Sequence, residues 1–152
     1  MHVSQLISPT RVRVPLEARD KPGVLRELVA LLVDGDSRQA DVLGAILERE
    51  RQFPTGVGYG VAVPHAKTPV LPTLGLVAGT TRDPVDYEAI DGMPVRIFFL
   101  LAGPDEAGPH VRAISRISRI VRQEPVRAQL LAAATPDAFY RVLCEADCTL
   151  AP

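Results

Sequence analysis

The sequence predicts a single α/β domain, a three-layer α/β/α sandwich with a central mixed β-sheet. Its 152 residues are about the length of one domain, so residues 1–152 are expected to fold together. The predicted order is one strand, two helices, three strands and three helices, which sets the strands between two helical layers. The three consecutive strands have connections too short for crossover helices, so some of them must pair antiparallel.

The first part of the chain reads as one strand and two helices. The segment TRVRVPL alternates apolar and polar side chains, as a half-buried strand does. Asp20 can cap the helix that follows, and Pro22 is tolerated in its first turn. Asp36 or Ser37 can cap the second helix, which ends in the charged run LERER at 47–51.

Three strands are predicted in the middle of the chain, at 57–63 and in the segments TLGLVAGTT and VRIFFLLAG. The run at 97–101 is apolar without a break, which is typical of a strand covered on both faces. A long helical pattern begins at His110, and Thr135 caps the last of two further helices. Four arginines on the polar side of the long pattern are expected to face solvent, with docking of a partner protein as the alternative: Arg112, Arg116, Arg119 and Arg122.

Composition and charge argue against several classes of function. The net charge is −1 and Trp is absent, which gives no reason to expect nucleic-acid binding. No apolar run approaches the roughly 18 residues that span a bilayer. The first residues also lack the apolar core of a signal peptide, so a soluble cytoplasmic protein is expected. Cys144 and Cys148 are then expected to be reduced thiols, and no further ligands lie near them for a metal site.

The glycine-rich segment TGVGYGVAVPHA, at 55–66, is the most informative stretch. A dinucleotide-binding loop needs a strand before its glycines and a helix after them, whereas here a helix precedes them and a strand pattern follows. No nucleotide cofactor is therefore expected. Glycines allow backbones to approach closely, and the N–H groups of such a loop can bind an anion. Pro64 stiffens the backbone before His65, which is either presented for chemistry or is a turn residue after a strand.

The residues around His65 resemble a known family. PTGVGYGVAVPHA, at 54–66, is similar to the signature STGIGxGIAIPHG/A around the phosphorylated histidine in IIA domains of the fructose/mannitol type, part of the bacterial phosphotransferase system (PTS). LGAILERERQ resembles the helix before that signature, and the segment from DPVDYEAIDG to RISRIVR resembles the second half of these domains. The likeness covers nearly the whole chain in the same order. Pro54 departs from it, because the family often has a serine there and proline offers no donor.

The resemblance implies a phosphoryl carrier with an α/β/α fold. His65 matches the histidine that accepts a phosphoryl group from a phosphohistidine carrier protein, HPr or its nitrogen-PTS equivalent. The group then passes to a IIB domain of a sugar permease or serves as a regulatory mark. His110 matches a second histidine of the site, and Arg49 matches an arginine that interacts with the phosphoryl group. Thr55 and Gly56 of the glycine loop are expected to complete the phosphate-binding cradle, with no metal or other cofactor.

These residue types suit phosphoryl transfer. A neutral imidazole has the nitrogen lone pair that attacks phosphorus, and its unperturbed pKa near 6.5 keeps much of it neutral in the cytoplasm. Arg49 offers a permanent positive charge and a fork of donors for phosphoryl oxygens. His110, at a predicted helix start, can donate an N–H where anions are favoured.

Two functional classes remain open at this point. In the first, phospho-His65 forms and is passed on, and a chain with no attached IIB, IIC or carrier domain favours the nitrogen-regulatory branch over the sugar-specific one. In the second, the protein is a regulatory binding module of the same fold that acts without phosphorylation. A metal site made by His65 and His110 is a third alternative. The sequence names neither a sugar nor a regulatory target, and it does not give the oligomeric state.

Overall fold

The computed structural model describes residues 1–53 and 55–151 of the chain. These residues form five α-helices: α1 (Lys21–Leu32), α2 (Asp36–Gln52), α3 (Ala107–Val121), α4 (Glu124–Ala132) and α5 (Pro136–Thr149). They also form six strands of one sheet: β1 (Val12–Leu16), β2 (Gly56–Gly58), β3 (Val61–Ala62), β4 (His65–Lys67), β5 (Gly75–Val85) and β6 (Val95–Gly103). Two 3-10 turns, Val3–Gln5 and Pro9–Arg11, precede β1.

The sheet is mixed, as predicted. Its strand order is β1-β5-β6-β3-β2, and β4 pairs with β6 beyond the end of β3. The pairs β1/β5, β3/β6 and β4/β6 are parallel, whereas β2/β3 and β5/β6 are antiparallel. Each antiparallel pair joins strands that follow one another along the chain, because a short connection can only turn the chain back on itself.

The strand predicted at 57–63 is wrong in its extent, since the region contains two short strands, β2 and β3, and a third, β4, follows it. Tyr59 and Gly60 have φ angles of 61° and 75°, and this left-handed turn reverses the chain between β2 and β3. Pro64, which has no N–H to donate to a ladder, separates β3 from β4. The alternating glycines that read as part of one strand therefore contain a turn.

Two separate apolar cores confirm the three layers. Helices α1 and α2 pack on one face of the sheet, and α3, α4 and α5 pack on the other. Successive side chains of β6 alternate between the cores: Phe98 and Leu100 belong to the first, Phe99 and Leu101 to the second. The apolar run at 97–101 is thus covered on both faces, as predicted.

The helix ends agree with the sequence in two places and differ in two others. The side chain of Asp20 accepts from the Gly23 N–H at 2.8 Å, and that of Thr135 accepts from the Ala138 N–H at 3.1 Å, so both predicted caps are confirmed. The cap predicted for α2 is wrong, because Asp36 is already its first residue and no side chain caps it. Helix α3 begins at Ala107, which puts His110 one turn inside the helix rather than at its start.

One of the four arginines expected to face solvent is buried instead. Arg116 lies between α3 and α5, where its Nε and Nη2 donate to the side chain and carbonyl of Asp147. The Asp147 carboxylate also accepts the Ser4 N–H at 3.0 Å, so this pair fastens the N-terminal turn to both helices. The prediction failed because the partner lies 31 residues away and leaves no local signal.

The cysteines and the helix lengths complete the description of the fold. Cys144 and Cys148 lie one turn apart on α5, and both are free thiols. Within 1–53 and 55–151, no helix has both the length and the apolar character needed to cross a membrane.

Candidate functional site

An open pocket of about 550 Å³ lies where the C-terminal end of α2, strand β4 and the first turns of α3 meet. Its lining includes the three predicted site residues Arg49, His65 and His110, which come from three different elements. Lys67 and the apolar side chains of Val111 and Ile114 also contribute to its walls. The fold therefore brings together side chains that are widely separated along the chain.

His65 is held by the sheet edge at which it lies. It is the first residue of β4 and pairs with Leu101 of β6, and the Leu101 N–H donates to the Pro64 carbonyl at 2.9 Å. Ala66 is buried in the core, so the side chains of His65 and Lys67, two residues apart on a strand, project to the opposite side. Sheet pairing on both sides of Pro64 thus fixes the direction of the imidazole.

The tautomer of His65 follows from one hydrogen bond. Its Nδ1 lies 2.8 Å from the carbonyl oxygen of Val63, which can only accept, so Nδ1 carries the proton. Nε2 is then the nitrogen with the free lone pair, and it has no hydrogen-bond partner in 1–53 and 55–151. When the half-buried ring is neutral, its free lone pair is therefore on Nε2.

The surroundings of His65 favour this neutral form. Burial lowers its pKa below the ordinary value of 6.5, and the charge of Arg49 and the nearby His110 lower it further. The hydrogen bond to Val63 and the charge of Glu50 act in the opposite direction, but they are outweighed. A larger share of His65 is thus in the neutral form at neutral pH than of a free histidine.

Arg49 lies in the last turn of α2, as predicted. One of its Nη1 donors reaches the carbonyl of Phe53 at 3.2 Å, which holds the end of the helix. The guanidinium has further N–H groups, and among residues 1–53 and 55–151 none of them has a partner carboxylate. Arg49 therefore places a positively charged guanidinium beside the His65 ring, and several of its N–H donors are available to a ligand.

His110 is buried in the first turns of α3 with a defined orientation. Its Nε2 lies 3.1 Å from the Pro104 carbonyl, so Nε2–H donates there and Nδ1 is left for another partner. Nδ1 donates to an anion only when the ring carries both protons, as an imidazolium. The simple N–H donation expected of His110 is thus not available from Nδ1 of the neutral ring, and the residue lies one turn inside α3.

Thr55 and Gly56, the two predicted phosphate-binding residues, are placed differently from the three side chains above. The N–H and hydroxyl of Thr55 both donate to the carboxylate of Glu50, and Thr55 is buried outside the set of residues that line the pocket. Gly56 is the first residue of β2, where it pairs with Ala62. Pro54, the departure from the family signature, lies outside the described residues.

Two groups near the site were not singled out from the sequence. Lys67 lines the pocket and its Nζ lies 3.1 Å from Asp105; its place two residues after His65 on a strand was the available signal. Glu50 is buried behind the site and binds Lys21 Nζ at 2.9 Å. Lys21 in turn lies 4.3 Å from the centre of the Tyr87 ring, and no local pattern connects these residues.

The buried group behind the site also affects Tyr87. Burial raises the pKa of its phenol well above the ordinary value, and the negative charge of Glu50 adds to that effect. The Tyr87 hydroxyl lies 3.4 Å from that of Thr55. Tyr87 is therefore a neutral hydrogen-bonding group of this cluster at all physiological pH values.

Comparisons with known proteins agree with the fold. The family described as phosphoenolpyruvate-dependent sugar phosphotransferase system, EIIA 2, matches residues 5–146. A nitrogen regulatory protein of Bradyrhizobium diazoefficiens is 37% identical, covering 99% of this chain and 100% of its own length. The fructose-specific EIIABC component of Bacillus subtilis is 35% identical over 97% of this chain, which spans only 24% of that longer protein. The crystal structure of the nitrogen regulatory protein IIA-Ntr from Neisseria meningitidis superposes with a TM-score of 0.85 at 26% identity, covering 93% of this chain and 98% of its own.

Proposed function

Because this chain belongs to the EIIA 2 family of the phosphoenolpyruvate-dependent sugar phosphotransferase system, we propose that it carries a phosphoryl group on Nε2 of His65. Membership of the family, with relatives named for both sugar uptake and nitrogen regulation, gives the chain a phosphocarrier or regulatory role in that system. The proposal adds the accepting atom, the residues that assist and the proteins on either side of the transfer.

The transfer exchanges one phosphorus–nitrogen bond for another. The lone pair of His65 Nε2 attacks the phosphorus of a phosphohistidine on a carrier protein. The bond from phosphorus to the carrier's ring nitrogen breaks, and that nitrogen leaves with the electron pair. No proton has to move on His65, because Nδ1–H stays hydrogen-bonded to the Val63 carbonyl throughout. Both bonds have similar energies, so the group can move on as readily as it arrived.

The assisting residues supply charge on both sides of the new bond. Arg49 and Lys67 stabilise the phosphoryl oxygens, and His110 joins them as an imidazolium through Nδ1. The His65 ring gains positive charge as the bond forms, and the Val63 carbonyl and the Glu50 carboxylate stabilise that charge. Thr55 contributes by holding Glu50 rather than by contacting the phosphoryl group.

The partners follow from the chemistry of the family. The donor is a phosphohistidine carrier protein, HPr or its nitrogen-PTS equivalent. In transport, the recipient is a IIB domain. In the regulatory use the phosphoryl group is not passed on, and a target protein recognises phospho-His65. The nitrogen regulatory protein of Bradyrhizobium diazoefficiens, whose match covers 99% of this chain, supports the regulatory use.

A single observation carries the proposal: Nδ1 of His65 is tied to the backbone at 2.8 Å, which leaves Nε2 as the nucleophile in a pocket with an arginine, a lysine and a second histidine. The test is labelling with phosphoramidate, a small phosphoryl donor, and with a phosphohistidine carrier from the same genome charged from phosphoenolpyruvate. Intact-protein mass spectrometry should show one added phosphoryl group, and NMR should place it on Nε2.

The control variants are His65→Ala and His110→Ala. His65→Ala should take up no label from either donor, whereas His110→Ala should take it up more slowly at the same position. A His65→Ala protein labelled as strongly as the wild type would contradict the proposal, and so would a phosphoryl group found on Nδ1.

A further inference from the structure

A second pocket, called here the β1–β5 pocket, lies towards the end of the sheet away from His65. It has a volume of about 330 Å³ and is formed by the end of β1, the segment that leads into α1, and residues 81–83 of β5. Thr80 of β5 pairs with Ile97 of β6, whereas His65 pairs with Leu101. Four residues of an extended strand span about 13 Å, so the two pockets are separated along the sheet. The β1–β5 pocket shares no lining residue with the pocket of His65.

Thr81 brings an unsatisfied hydroxyl to the β1–β5 pocket. The residue pairs with Leu16 across β1 and β5, so the two side chains lie on the same face of the sheet, and both line the pocket. Only 3% of Thr81 is exposed. Within residues 1–53 and 55–151, its Oγ1 is the one buried side-chain polar atom that has no hydrogen-bond partner. A buried hydroxyl without a partner costs free energy, and a polar ligand in the pocket supplies the missing hydrogen bond.

The β1–β5 pocket also carries unpaired charges of both signs. Arg19, Arg82 and Asp83 line it and are exposed, and in the part of the chain that the structure describes none of them forms an ion pair or a hydrogen bond through its side chain. Glu17, the fourth charged residue of the lining, is instead paired with Arg13 at 3.5 Å. The unpaired groups are therefore two cations and one anion around a space of small-molecule size.

We propose that the β1–β5 pocket binds a small zwitterion of the amino-acid class. The guanidinium groups of Arg19 and Arg82, whose donors suit planar oxyanions, hold the carboxylate of the ligand. The ammonium group of the ligand faces the carboxylate of Asp83. The Thr81 hydroxyl, which can donate or accept, bonds to a polar atom of the ligand. A purely anionic ligand is repelled by Asp83 and a purely cationic one by the two arginines, so a ligand with both charges fits best.

The test is an NMR titration of the isotope-labelled protein with L-aspartate and with succinate. L-Aspartate has one ammonium group and two carboxylates, which match the unpaired charges of the pocket, and succinate is the same molecule without the ammonium group. L-Aspartate should shift the amide signals of residues 16–19 and 81–83 saturably and leave those around His65 unchanged. Succinate should bind about 10-fold more weakly, because it has no donor for the Asp83 carboxylate.

Three variants distinguish a ligand site from a hollow that holds only solvent. Thr81→Val removes the unpaired hydroxyl, so it should be at least as stable as the wild type in urea denaturation and yet bind L-aspartate about 5-fold more weakly. Arg82→Gln should bind it about 10-fold more weakly. Arg141→Gln, which changes an exposed arginine of α5, should bind like the wild type.

The proposal is overturned if L-aspartate shows no saturable binding to the wild type, or if its signals shift around His65 instead. It is equally overturned if succinate binds as tightly as L-aspartate, or if Thr81→Val and Arg82→Gln bind like the wild type. No phosphoryl donor takes part in these measurements, so their outcome is independent of the proposed function.

Discussion

Two buried ionic clusters lie on opposite sides of the sheet, and only one of them adjoins polar side chains that are available to a ligand. Between α3 and α5, Arg116 and Asp147 satisfy each other, with His2, Ser4 and Ala151 supplying further contacts. Between α1 and α2, Glu50 is equally well satisfied by Lys21 and Thr55. The second cluster, however, adjoins Arg49 and the Nε2 of His65, which remain available in an open pocket. Paired charge in the interior indicates a structural role, whereas available charge beside paired charge indicates a site.

The largest loss of unfolding free energy is expected at the buried Arg116–Asp147 pair, where both charges are paired. Asp147→Asn removes the negative charge and leaves the Arg116 guanidinium buried without a counterion. Breaking a buried pair in this way costs about 3–5 kcal/mol of unfolding free energy. Urea denaturation followed by far-UV circular dichroism measures it. Phosphoramidate labelling of His65, under conditions where the variant is folded, should be unchanged.

The double variant Arg116→Met/Asp147→Leu is the control, because apolar replacement of both partners often restores stability. It should be more stable than Asp147→Asn. Lowering the pH should destabilise the wild type as Asp147→Asn does, because it protonates the Asp147 carboxylate. Burial raises the pKa of Asp147, but the hydrogen bonds from Ser4 and Arg116 outweigh burial and hold the pKa below 3.8. The stabilisation from Asp147 is therefore complete above that value and is lost as pH falls through the folded-state pKa. A variant Asp147→Asn with the same acid dependence as the wild type would contradict this.

A smaller effect is expected at the cluster behind the site. Glu50→Gln keeps the shape but loses the charge that binds Lys21 and the two donors of Thr55. Hydrogen bonds to a charged group contribute roughly 2 kcal/mol, and Lys21 is partly exposed, so we expect a loss of about 1–2 kcal/mol. The same denaturation experiment measures it. Unlike Asp147→Asn, this variant should also slow labelling of His65. Equal labelling rates in the two variants would contradict the view that one cluster is structural and the other supports the site.

The comparison also shows which features were accessible from the sequence. Helical periodicity, the caps Asp20 and Thr135, and the apolar run at 97–101 predicted the layers because each depends on neighbouring residues. The splitting of the strand at 57–63 depends on a left-handed conformation of Tyr59, a residue type that rarely adopts it. Local patterns do not reveal such a conformation.

Three of the five predicted site residues share one pocket, but the hydrogen bonds of the site were not predicted. Arg49, His65 and His110 came from a resemblance and lie around one pocket. The two donors of Thr55 point instead to Glu50, and His110 donates from Nε2 to a backbone carbonyl. These assignments depend on which atoms the folded backbone brings within about 3 Å, and residue types alone do not determine that.

The smallest expected effect is a shift in the pKa of His65, and it tests how the charges of Arg49 and Glu50 act on the ring. Arg49 and Glu50 are adjacent on α2, yet they act on the pKa of His65 in opposite directions: the cation lowers it and the carboxylate raises it. An NMR titration of the His65 ring should give a wild-type pKa below 6.5, because burial is the largest influence. Arg49→Gln should move that pKa upward and Glu50→Gln downward. Shifts in the same direction would mean that the variants act through burial of the ring instead, and the electrostatic account of the acceptor would fail while the fold and its paired clusters stood.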